Sequence, residues 1–64
     1  MTKPKQIVLL EMSDVDLQTI ALFLKRVSFE EIRVSAQDDA ETYAMRSAID
    51  QARASLAAAG YNPR

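Results

Sequence analysis

Apolar positions fall along the chain in four blocks, and the period of each block points to a different element. The first is Ile7-Val8-Leu9-Leu10, four consecutive branched aliphatics flanked by polar residues within Lys5–Met12. A run of this length with this composition predicts a short β-strand rather than a helix. On a strand, Ile7 and Leu9 face one way while Val8, Leu10 and Met12 face the other, so both faces are apolar. A strand also needs a ladder partner for its backbone groups. No other segment reads as a strand, so the simplest partner is the same segment of another copy.

The remaining blocks have helical period. Leu17, Ile20, Ala21, Leu24 and Val27 repeat at spacings of three and four, with Leu22 and Phe23 widening the stripe. This predicts a helix over about 14–27 and a central position for it. Ser13 stands at its cap, Asp14 and Asp16 in its first turn and Lys25 and Arg26 in its last, all in accord with the helix dipole. Ser28 and Glu31 form a capping-box pair, in which the first side chain accepts from an orphan N–H and the fourth reaches back to the cap. They open a short helix over about 29–36 carrying Phe29, Ile32 and Val34 or Ala36. The box favours a break between the two helices over one kinked helix.

Asp38 and Glu41 repeat the box and start the longest element, a helix over about 39–59. It has no Gly or Pro, and alanine stands at 40, 44, 48, 52, 54, 57, 58 and 59. Its expected stripe is Ala44/Met45, Ala48/Ile49, Ala52, Leu56 and Ala59. At 1.5 Å per residue it spans roughly 31 Å. Gly60 is placed to stop it in a left-handed conformation, with Tyr61 at the next position of a Schellman motif, over Leu56. The fold class is therefore mainly α: a short N-terminal strand and three helices in one small domain over 5–60. Residues 1–4 form an expected disordered arm and 61–64 a C-terminal tail. The predicted core is Val8, Leu10, Leu17, Ile20, Ala21, Leu24, Val27, Phe29, Ile32, Met45, Ala48, Ile49, Ala52 and Leu56.

Length and composition narrow the function. A chain of 64 residues buries only about 60% of the surface its unfolded form exposes. Disulfides, a metal or a partner chain commonly supply the missing stability. With no cysteine and no histidine, disulfides and the usual zinc ligands are absent, which leaves helix packing and self-association. A homodimer or higher oligomer is the expectation. The absent histidine leaves serines 13, 28, 35, 47 and 55 without a base, and one glycine makes no phosphate loop. No catalytic residue, metal site or cofactor is expected, so the chain reads as non-enzymatic.

Eight Lys/Arg against nine Asp/Glu disfavours nucleic acid, whose binding proteins neutralise phosphate with a basic face. No segment approaches the roughly 20 apolar residues of a membrane span. The basic start at Lys3 and Lys5 precedes too short an apolar run for a signal peptide, so the cytoplasm is the default. Among the side chains, the acidic cluster Asp38, Asp39 and Glu41 is explained by capping. Lys25, Arg26 and Arg33 with Lys3 and Lys5 make too small a patch for nucleic acid. Arg46, Asp50 and Arg53 have the spacing of a solvated ion-pair face. Phe23 and Phe29 are expected in the core and Tyr43 half-buried.

The function these residues support best is protein–protein contact, with self-association. The candidate interface is Ile7 and Leu9 on the strand edge together with Tyr43, Arg46 and Tyr61, and an unidentified protein is a further possible partner. The alternative is a ribbon-helix-helix DNA-binding regulator, which shares the order of strand and helices. Its outward strand face should carry polar base readers, however, and neither face here does. Glu30 and Glu31 also stand where phosphate donors are needed, and the third helix is extra.

The runs Phe23–Phe29, Asp38–Arg46 and Ala59–Arg64 are similar to those of a family of small uncharacterised bacterial proteins, some encoded on plasmids and prophages. The resemblance covers about residues 13–64 and less of the predicted strand. It implies a bacterial, cytoplasmic protein from a mobile element, and it transfers no residue role.

Overall fold

A computed structural model describes residues 4–63. Three helices follow in order: α1 (Asp14–Arg26), α2 (Phe29–Ser35) and α3 (Asp39–Ala58). All three stand within two residues of their predicted bounds, because each is started by side-chain chemistry. Ser13 Oγ accepts from the Asp16 N–H at 3.1 Å. At α2 the box is complete: the Glu31 N–H donates to Ser28 Oγ at 3.1 Å, and the Ser28 N–H donates to Glu31 Oε1 at 3.0 Å. At α3 the box is displaced by one residue. Asp38 Oδ1 accepts from the Glu41 N–H at 2.8 Å, but Glu41 Oε1 takes the N–H of Gln37, not of the cap. The break between α1 and α2 is real, since Val27 and Ser28 are both extended, with ψ of 127° and 160°.

The end of α3 is a Schellman motif. The Tyr61 N–H donates to the Leu56 carbonyl at 2.8 Å and the Gly60 N–H to that of Ala57 at 3.0 Å. Gly60 supplies the positive φ of 101° that a side chain would resist.

α3 packs against both α1 and α2, which do not pack on each other. The central helix is thus α3 and not α1, contrary to the hydrophobic pattern. Burial concentrates in Ala21 of α1, Ile32 of α2, and Thr42 and Leu56 of α3. Leu17, Leu24, Val27, Met45 and Ile49 are half-buried around them. Of the other predicted core positions, Ala48 and Ala52 are exposed, as are Ile20 and Phe29 at the margin. The stripe α3 turns inward is Thr42, Met45, Ile49 and Leu56, one step round from the alanine column. Larger side chains bury more apolar area per position, so they take the inner face and leave alanine outside. Thr42 is the most buried residue, at 1% exposure. Its hydroxyl donates back to the Asp38 carbonyl at 3.0 Å, so no polar atom is stranded.

The predicted strand does not form. Residues 4–12 have no regular structure, and no hydrogen bond from them is found among the described residues. Val8 and Leu10, expected in the core, are 77% and 50% exposed. The reason is the one that made the strand questionable: within one chain there is no second strand to complete a ladder. The expected disordered arm at 1–4 falls outside the described residues, apart from Pro4. The Cα radius of gyration is 12.9 Å, against about 11 Å for a compact chain of this length.

Candidate interaction surfaces

The five candidate residues fall on three separate parts of the surface. Ile7 and Leu9 lie on the extended N-terminal segment, which carries Ile7 fully exposed and Leu9 at 84%. Nothing local would bury them: Ser13 directs the chain away from α1 in an extended conformation, with ψ of 159°.

Tyr43 and Arg46 lie one turn apart on α3. Tyr43 is 65% exposed, more than its expected half-burial. Its ring centroid is 5.6 Å from that of Phe29 on α2, with the planes tilted by 45°. This is an aromatic pair at an ordinary centroid separation, tilted between stacked and edge-on. Phe29 is a marginal partner of Tyr43 and not a core residue. Arg46 pairs with Asp50 at 3.6 Å, one turn on, both half-exposed. That is the solvated ion pair its spacing predicts. Val34 of α2 is also open, at 74%.

Tyr61 is engaged within its own chain. Its hydroxyl donates to Asp14 Oδ1 at 2.6 Å, which raises its pKa above the ordinary tyrosine value. The Lys25 ammonium donates to the Pro63 carbonyl at 2.8 Å. Together these lay the tail across α1, over Ala21, with Arg53 of α3 beside it. Long-range contacts of this kind have no signature in local periodicity, and the sequence reading missed them.

Several other charged groups are also satisfied locally. Arg33 makes a two-point pair with Glu30, which holds the Glu30 carboxyl below its usual range. The N–H of Ser28, and then its hydroxyl, lower Glu31 in the same sense. Asp38 and Glu41 spend oxygens on backbone N–H groups. Among the described residues no three acidic side chains come together as a metal site, and no helix is long and apolar enough to cross a membrane.

One concavity has appreciable size. It is an open groove of about 620 Å³ between the first turns of α1 and the end of α3. Val15, Gln18, Thr19 and Leu22 form one wall and Ala59, Gly60 and Tyr61 the other, with Asp14 at its edge. Val15 is 74% exposed there. Helical spacing makes these four α1 residues neighbours, yet Thr19 and Gln18 between Val15 and Leu22 hid the face from a hydrophobicity count.

Accessible area measures how much surface is left over. The chain exposes 5547 Å², whereas a compact protein of 7.1 kDa exposes about 4,100 Å². The excess, roughly 1,450 Å², is spread over the whole molecule and includes the extended segment 4–12.

Across residues 1–64 the sequence matches DUF7706, a family of unknown function. The chain belongs to this family. The DUF7706 match starts at residue 1 and so includes the apolar run that the resemblance over 13–64 mostly left out. Membership in DUF7706 brings no residue roles with it. No curated protein and no solved structure matches the chain.

Proposed function

We propose that this DUF7706 chain is a non-enzymatic protein–protein interaction module that self-associates, in the first instance as a dimer. The observation that carries the reading is the segment Ile7–Leu10, four aliphatic side chains in water with no hydrogen-bonded backbone partner of their own. An exposed apolar run of this kind marks a binding surface. Tyr43 and Arg46, on a separate face, leave room for a further protein partner.

A bacterial, cytoplasmic setting and a mobile-element origin belong to the same proposal and rest on the sequence resemblance alone. Duplex DNA is a poor partner on this reading, since Glu11 lies in the apolar segment and Glu30 and Glu31 open α2.

Light scattering across a dilution series tests the proposal. The expected result is a mass of about twice 7.1 kDa at high concentration, falling towards the single-chain value on dilution. A single-chain mass at every concentration overturns it.

A further inference from the structure

Building on that self-association, we infer that the apolar segment Ile7–Met12 of one copy occupies the groove between α1 and the end of α3 in a second copy, and that the exchange is reciprocal. Three observations lead there. The groove is open, about 620 Å³ in volume, and its walls present Val15, Leu22, Ala59 and the ring of Tyr61. The segment offers the complementary shape, a row of aliphatic side chains on an extended backbone.

Reach and symmetry agree. From Ser13 back to Ile7 is six residues, which extend to about 20 Å, against molecular dimensions of 34 × 30 × 18 Å. The root of the segment and the groove both adjoin the N-terminus of α1. A two-fold axis close to that point therefore brings each root next to the other copy's groove, and the contact closes as a dimer. The segment has apolar area to give: Ile7, Val8 and Leu9 are 100%, 77% and 84% exposed.

Insertion of the segment into its own groove would need a reversal between Glu11 and Ser13. Neither Glu11 nor Met12 is a turn-forming residue, and Ser13 is held extended, with ψ of 159°, as the cap of α1.

The absence of native cysteine makes disulfide mapping clean. Protein carrying Leu9→Cys is mixed with protein carrying Gln18→Cys and oxidised, and the double variant is oxidised separately at low concentration. Both positions are exposed, so the helices are not disturbed. A predominant Leu9–Gln18 mixed disulfide between chains is expected. In scattering, Leu9→Asp and Val15→Glu should each weaken the dimer at least about 100-fold, with helical circular dichroism unchanged. Predominant Leu9–Leu9 cross-links, with Val15→Glu still dimeric, would overturn the groove assignment and leave self-association standing on paired segments. An internal disulfide in the double variant, without dimer, would assign the groove to its own chain and overturn the exchange. A wild-type protein monomeric at all concentrations would remove the underlying reading and this one together.

Discussion

At the scale of single residues, the caps decide where helices begin, and Ser28 with Glu31 is the most fully formed of them. Both partners give and receive a backbone bond. Ser28→Ala should therefore cost about 1 kcal/mol of unfolding free energy, measured by denaturant titration. The pair also makes stability depend on acid. The backbone N–H and hydroxyl of Ser28 lower the Glu31 pKa in the folded protein relative to its ordinary value of 4.5. The unfolded chain therefore binds that proton first as pH falls. The contribution is fully present above 4.5 and is lost as pH drops through the lower, folded value. In Glu31→Gln the acid loss of stability should be shallower over that window. A parallel pair of melting curves against pH would show it. These residues were legible in the sequence because a cap, a glutamate three residues on and a terminal glycine act locally, without reference to the rest of the fold.

At the scale of elements, α3 gathers the fold, and what it buries departs from what hydrophobicity alone suggests. Thr42 is polar by type, yet its methyl group is enclosed and its hydroxyl returns to the preceding turn. The Asp38 carbonyl also receives the Thr42 N–H, at 3.1 Å, so the hydroxyl bond is partly redundant while the packed volume is not. Thr42→Val should accordingly be tolerated within about 1 kcal/mol. Thr42→Ala should lose about 1–2 kcal/mol by opening space beneath α2. Thermal melts of the two variants side by side distinguish packing from hydrogen bonding. The alanine column at 44, 48 and 52 misled the sequence reading for the converse reason. Alanine favours helix everywhere but gives little reason to face inward, so periodicity located the helix and not its buried face. The placement of α1 beside α3, with Tyr61 and Pro63 laid across it, depends on pairs up to 47 residues apart that no local window contains.

At the scale of the whole molecule, the unsatisfied part among the described residues is segment 4–12. Its apolar character was plain from the sequence, and so was the lack of a second strand. The sequence paired it as a strand with another copy; within the single chain residues 4–12 are extended and unbonded, and no strand forms. Candidate residues Ile7 and Leu9 stand far out, Tyr43 and Arg46 share a helix face, and Tyr61 lines the groove. They make separate surfaces, because side chains adjacent in chemistry were chosen without knowing the topology. If a second copy covers the N-terminal segment, folding and association are linked by mass action. The melting temperature of the wild-type protein should then rise with concentration, while that of Leu9→Asp stays constant. Scans over a hundredfold concentration range would reveal the difference.

The clasp of Tyr61 on Asp14 and of Pro63 on Lys25 also orders events in time. Translation runs from the amino end, so α1 emerges well before the residues that brace it. The far wall of the groove, built from Ala59 to Tyr61, is made well after α1. A nascent chain that stops short of Ala59 already displays Ile7–Leu10 but lacks the complete groove. On the proposed exchange, docking becomes possible only once each chain has been synthesised past Tyr61.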